Sequence, residues 1–499
     1  MDNSIKTLQL GATNWNNIYP MPEEVVYYHE PDWEDCDVKL FDIVFVDRSV
    51  NEGECKKLFE VTKAYTLFVT DRVKMTDELQ WLIASKKGQV LPYPEVGGFI
   101  SGSLKYFFSS PYGEKLKMSS MAVAQGFKGD VRWNGGRAIE VTGNFGENFK
   151  QILYTRYNIG IQEGQCQEYW LEYEHDDNVE IEVVFSKLTS NNYSTIQKKW
   201  VFSEAELGDN VYIENDELKG HLFISIRAKG NGCFRLRAIH FRISRRGFGS
   251  FIPGGVIDRT KKGEELFSYF DPGDMKPPLN VYFSGYKTQE GFEGYFMMRK
   301  HKSPFILIGE PRIEGGCCYM GDEEYEQLVV EAIERCRKEL GFESKDVVLS
   351  GISMGSVGAL YYAADIKPGA VIIGKPLTNW GSIARNGKIY RPNEFATSFD
   401  ILKALSGGDD EEAMNSLNRR FWDKFSMARL PKTIFAVAYM IEDDYDSAAY
   451  GDLISHLQDV GVVVYGKGMH GRHNDNSNGI YSWFDGQYKR ILTDVYGRH

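Results

Sequence analysis

A chain of 499 residues is too long for one hydrophobic core and predicts two or three domains. Its composition, 42% hydrophobic and 26% charged, is that of a globular protein able to bury those cores. A formal net charge of -12 repels nucleic acid and anionic lipid and argues against either as a primary partner. Met1-Asp2-Asn3-Ser4 opens without an apolar signal core, and no apolar run approaches bilayer length, so the expected location is cytoplasmic. The seven cysteines show no repeating spacing, and adjacent Cys317-Cys318 has no CxxC partner; reduced thiols and no metal site are expected.

From residue 1 to about 105, strand-like runs at 8–10, 41–46 and 66–70 alternate with helical spacing over 52–64 and 75–85. That alternation predicts a small α/β domain with a parallel sheet. Gly11 belongs to no G-x-G-x-x-G, so no bound nucleotide is expected.

Over 106–252 the helical patterns stop. Short runs at 138–142, 151–157, 169–173, 180–185, 197–202, 221–228 and 235–243 are separated by turn clusters such as Asn134-Gly135-Gly136 and Lys229-Gly230-Asn231-Gly232. This spacing predicts a β-sandwich. Trp133, Tyr154, Tyr157, Tyr169, Trp170 and Trp200 are candidates for a sugar-stacking face, against the competing reading that strand aromatics form core.

From 253 to 499 the pattern becomes repeated β-α-β. Strands are expected at 280–284, 305–308, 347–349, 369–373, 433–440 and 462–465, and helices at 323–340, 358–364, 398–405, 447–458 and 481–496. This predicts a doubly wound parallel sheet, whose functional groups sit at the carboxyl ends of strands.

Three such ends carry reactive groups. Gly351-Ile352-Ser353-Met354-Gly355 is a G-x-S-x-G between strand and helix, the turn that presents a nucleophilic serine. Glu442, Asp443, Asp444 and Asp446 follow the next-but-one strand, with Glu442 and Asp443 the leading candidates for the acid. His470 and His473 follow the last strand, and His473, just before the final helix, is the preferred base. The order Ser, acid, His is that of the α/β-hydrolases. Oxyanion donors are expected from the backbone N–H of Met354 and from the loop at Gly285 and Tyr286. Asn379 and Trp380 should rim the same site.

The elbow with its flanks, Gly374-Lys375-Pro376-Leu377-Thr378-Asn379-Trp380-Gly381, Val281-Tyr282-Phe283-Ser284-Gly285-Tyr286 and Leu10-Gly11-Ala12-Thr13-Asn14-Trp15 together resemble the second accessory secretory protein family of the accessory Sec system of streptococci and staphylococci. The resemblance spans nearly the full length. It implies an α/β-hydrolase-like O-acetyltransferase acting on N-acetylglucosamine of serine-rich repeat glycoprotein adhesins during their export. It also implies partnership with the first and third accessory secretory proteins and the accessory SecA motor, and peripheral contact with the membrane through them. By resemblance the catalytic positions are Ser353, His473 and the acid at Glu442-Asp443. An acetyl donor is required, but no nucleotide or coenzyme A motif identifies it. The residues themselves leave open an esterase or peptidase, and a non-catalytic secretion chaperone or scaffold.

Overall fold

The computed structural model describes residues 4–498 except 34–35, 190–192, 194, 391–394, 396, 431 and 459–460. Residues 1–3, read above for a signal core, lie outside the described set. Three sheets succeed one another along the chain. The first is parallel, with strands in the spatial order Val25–His29, Ile5–Leu10, Ile43–Val46, Leu67–Thr70 and Gln89–Leu91. Helices Glu52–Val61 and Asp77–Ser85 cross between its strands, and each starts where a side chain caps a free backbone N–H: Asn51 for Glu54, Thr76 for Leu79. The two outer strands, Val25–His29 and Gln89–Leu91, are only partly buried, as edge strands are.

The central region forms one antiparallel sheet of 11 strands among the described residues. Two pairs of runs that read as separate strands are single long ones. Residues 138–142 and 151–155 belong to Ala138–Thr155, with 156–157 just past its end, and residues 221–228 and 235–243 belong to Gly220–Ile243. The glycines that read as turns instead bend these strands. Gly146, Gly230 and Gly232 sit at φ 90°, 98° and 153°, where the pairing between the two strands shifts register. One strand of this sheet comes from further along the chain: Gln289–Glu290 pairs with Gly113–Leu116.

The third sheet has eight strands, in the spatial order Val256–Arg259, Glu265–Asp271, Phe305–Gly309, Leu279–Phe283, Val347–Ile352, Ala370–Gly374, Ile434–Met440 and Val463–Met469. Numbered along the chain this is 1-2-4-3-5-6-7-8, with only the second strand reversed. Alternate residues of each inner strand face opposite helical layers. Phe283, Leu349, Val371 and Val437 pack under helix Glu323–Glu339 and its neighbours; Tyr282, Val348, Ile372 and Ala436 meet Phe484 and Tyr488 of helix Ser477–Asp494. Helix Glu323–Glu339 is capped by Asp322 and carries acids in its first turn and Arg337 and Lys338 in its last, matching its dipole.

The central and third sheets meet across a buried charge network. His240 and Arg242 lie on Gly220–Ile243, Glu172 on the neighbouring strand Gln165–His175, and Glu265 and Arg259 on the third sheet. His240 Nε2 pairs with Glu172 at 2.9 Å and Nδ1 with Glu290. Arg242 Nε donates to Glu290 at 2.7 Å while its fork grips Glu265, which Arg259 also reaches at 2.8 Å. Burial opposes the charge on His240, but Glu290, Glu265 and Glu172 outweigh it and raise its pKa to about 9. A second tie is Arg245, whose guanidinium donates to the carbonyls of Phe251, Tyr106 and Phe108 at 3.0, 2.9 and 2.8 Å and so fastens the two ends of the central region to each other.

His240 holds its proton more tightly folded than unfolded, so its contribution is complete below the ordinary value of 6.5 and is lost as pH rises through about 9. Melting followed against pH should lose on the order of 3 kcal/mol across that window. His240→Gln should flatten the dependence; an unchanged slope in the variant would assign the loss to other groups.

Candidate active site

The strand Val347–Ile352 runs straight into helix Met354–Tyr361, and Ser353 is the whole of the turn between them. It holds φ 56° and ψ -121°, a backbone state that costs a residue with a Cβ about 1–3 kcal/mol. The flanking glycines make room for it. A Cβ on Gly351 would lie 2.2 Å from the Gly355 carbonyl, and one on Gly355 would lie 2.1 Å from the Phe283 carbonyl. Ser353 N–H donates to Gly374 O at 2.8 Å, which ties the turn to the adjacent strand.

Ser353 Oγ lies 2.8 Å from His473 Nε2, and His473 Nδ1 lies 2.9 Å from Asp443 Oδ2. The other Asp443 oxygen accepts the N–H groups of Tyr445 and Asp446 at 2.9 and 3.1 Å. Burial pushes the Asp443 carboxyl up, but His473 and those two N–H groups outweigh it and hold it below the usual carboxylate range. The imidazole is 1% exposed and stacks on the Tyr445 ring with centroids 4.3 Å apart, so packing as well as hydrogen bonding fixes its plane.

The neighbouring acids are occupied elsewhere. Glu442, expected as an alternative acid, is corrected: its Oε1 meets His470 Nδ1 at 2.9 Å and its Oε2 accepts Gly471 N–H at 2.7 Å, on the solvent side of the loop. Asp444 accepts the His473 N–H at 3.0 Å. Asp446 is buried and accepts N–H groups from Thr378 and Asn379, both at 2.8 Å, which pins the loop after the neighbouring strand. Asn379 and Trp380 are committed to that packing. Asn379 donates to Asp446 and Asp452 and accepts from Trp422, and Trp380 is 1% exposed.

The expected oxyanion donors divide. The N–H groups of Met354 and Tyr286 donate to no group among the described residues. Gly285 is corrected: its N–H donates to Glu293 Oε2 at 2.7 Å and is spent. Glu293 was not visible to sequence reading, since a carboxylate eight residues beyond a glycine has no signature spacing. Lys375, held at φ 51° with Nζ on Ser477 Oγ at 3.1 Å, also borders the site, and burial lowers its pKa against the pull of Asp443 and Asp475.

A cavity of about 840 Å³ opens at Ser353. Tyr286, Glu293, Ile352 and Lys375 line it near the serine, and its far wall reaches Phe108 and Arg245. Its lining is rich in aromatic and aliphatic side chains, which suits an acyl group. His240, Glu265 and Glu290 are the one group among the described residues with metal-ligand atoms within 4.8 Å of one another. Arg242 already occupies both carboxylates and His240 is held protonated, so the cluster is closed by its own cations. All seven cysteines are unpaired, and burial pushes Cys317 up to about 12. Among the described residues no helix is long and apolar enough to cross a membrane.

Sheet order, elbow and the Ser353–His473–Asp443 line define a protein of α/β-hydrolase type. More narrowly, the family profile described as accessory Sec system GspB-transporter matches residues 5–498, and the chain belongs to that family. It is 34% identical over 509 residues to the accessory Sec system protein Asp2 of Streptococcus gordonii, covering 100% of both chains. It is 36% identical over 466 residues to the protein of the same name from Staphylococcus aureus, covering 92% of this chain and 88% of that one. Among solved structures it is similar to a chain of the Glycosylation Associate Protein (Gap123) complex from Streptococcus agalactiae, with a TM-score of 0.87, 33% identity and 99% of each chain covered.

The two acids make opposite predictions. Labelling of Ser353 by a serine-directed fluorophosphonate should fall by about 10³–10⁴ in His473→Ala and Asp443→Ala. Glu442→Ala should label at close to the parent rate, and equal losses for Glu442 and Asp443 would remove Asp443 from its assigned place.

Proposed function

We propose that this chain is a serine-dependent O-acetyltransferase that acts on N-acetylglucosamine of serine-rich repeat glycoproteins during accessory Sec export. The carrying observation is the unbroken line from Ser353 Oγ, which lines an apolar cavity, through His473 to a buried, ionised Asp443. Ser353 Oγ attacks the acetyl carbon of the donor, an activated ester or thioester, and its proton passes to His473 Nε2. Met354 N–H and Tyr286 N–H receive the oxyanion. The donor's leaving group departs with the proton from His473 and leaves acetyl-Ser353. A sugar hydroxyl then gives its proton to His473 and attacks the ester carbonyl, and Ser353 Oγ leaves with that proton. Asp443 holds the imidazole in the tautomer that both halves require and stabilises its cation.

Membership of the family supports the export setting, and the similar chain belongs to a Gap123 complex, which supports work beside the first and third accessory secretory proteins; partnership with the accessory SecA motor is part of the proposal and follows from the export setting alone. Mass spectrometry of the exported adhesin should find its acetyl content abolished in a Ser353→Ala strain while export persists in part. Unchanged acetylation would overturn the reading, and release of free acetate without sugar acetylation by the purified protein would make it a hydrolase.

A further inference from the structure

A second cavity, of about 1260 Å³, lies between the central sheet and the third region. One wall is the hairpin of Asp130–Asn134 and Ala138–Thr155, and the other includes Arg312, Glu314 and Arg420. The hairpin tip is anchored across the gap: Gly136 N–H donates to Asp400 Oδ2 at 3.1 Å, on helix Ser398–Ser406. The cleft is therefore built by both units and not left by loose packing.

Its chemistry is opposite to that of the cavity at Ser353. Its charges are largely matched within the protein: Arg235 and Arg237 share Glu174, Lys117 faces Glu314, and Lys262 faces Asp322. Paired ions offer many N–H groups and carboxylate lone pairs but little net charge, which suits a neutral polyhydroxyl ligand better than a polyanion. Two groups on the hairpin remain without a partner. Trp133 is 44% exposed and its ring stacks on no other ring among the described residues. The Arg137 backbone N–H closes the hairpin on Asn134 O at 3.1 Å, but its guanidinium forms no hydrogen bond or ion pair with any described residue. An exposed indole beside a free guanidinium gives a sugar ring a stacking face and bidentate donors.

The cleft also adjoins the reacting centre. The segment Glu314-Gly315-Gly316 separates the two: Glu314 lines the cleft, a Cβ on Gly315 would lie 2.0 Å from the Tyr286 ring, and one on Gly316 would lie 2.8 Å from Met354 Sδ. We infer that this cleft binds the saccharide acceptor, through Trp133 and Arg137, while the cavity at Ser353 takes the acyl group. The inference rests on the acetyltransferase reading for its choice of ligand, but it is tested by binding without turnover.

The probe is a peptide carrying serine-linked N-acetylglucosamine, titrated into the full-length Ser353→Ala protein by calorimetry and tryptophan fluorescence. Binding should shift the fluorescence, and Trp133→Ala and Arg137→Ala should each weaken it about tenfold while melting stays unchanged. With Ser353 restored, both variants should raise KM for the glycopeptide and leave fluorophosphonate labelling intact. Equal binding by parent and variants overturns the cleft and leaves the enzyme reading standing. Tight binding through Trp133 and Arg137 without sugar acetylation keeps the cleft and overturns the enzyme reading. Competition by heparin and not by free N-acetylglucosamine would make it an anion site and sink the saccharide assignment.

Discussion

Everything reactive in this protein hangs on one strained residue. Ser353 occupies a backbone region that a side chain disfavours, and it stays there because its surroundings admit no alternative. Gly351 and Gly355 approach carbonyls more closely than any Cβ allows, and Ser353 N–H is fixed on Gly374. The strain puts Oγ above the sheet, where the loops after Leu279–Phe283, Ile434–Met440 and Val463–Met469 bring Tyr286, Asp443 and His473. It also orients the first N–H of the following helix away from other partners, so the turn that exposes the nucleophile supplies a donor for the charge that develops on the acyl oxygen. The cost is met by the apolar layers on both sides of the third sheet, where nearly every residue of the inner strands is buried.

Around that point the polar groups are spent in a strict division of labour. The acidic loop after Ile434–Met440 places four carboxylates within five residues, and each has a different partner: His470 for Glu442, the imidazole of His473 for Asp443, the His473 backbone for Asp444, and the Thr378–Asn379 backbone for Asp446. Three of them build the loop so that the fourth can serve the histidine. Glu293 does the same on the opposite side, consuming the Gly285 N–H so that Tyr286 presents the remaining donor.

Local features were legible in the sequence and long-range ones were not. The elbow was readable because strand, turn and helix lie within 15 residues and the glycine requirement is local. Ser353 followed from the elbow, and His473 from its strand end together with its place just before the final helix, which set it above His470. The acid was not decidable, because Glu442 and Asp443 differ by one position and the choice depends on which way the strand exits. Gly285 misled for a related reason: a glycine turn reveals a free N–H but not the carboxylate that folds back onto it. In the central region, Lys229-Gly230-Asn231-Gly232 reads as a turn, yet hydrogen bonding on both sides carries the strand through it. Helix Glu411–Ser426 was missed although Asp410, Glu411, Glu412 and Lys424 spell out its cap and charge pattern.

The charge network between the central and third sheets decides what can be separated. Glu265 and Glu290 are carboxylates of the C-terminal half whose main cations, His240 and Arg242, lie on the preceding half. A fragment beginning near residue 253 would keep Ser353, Asp443 and His473, but it would strip Glu290 and Glu265 of His240 and Arg242, leaving Arg259 on Glu265 alone, and lose the strand partner of Gln289–Glu290. The third sheet thus depends on the β-rich half for the main counterions of two of its neighbouring acids. Removing that half would leave buried carboxylates without their main cations, a strongly destabilising change.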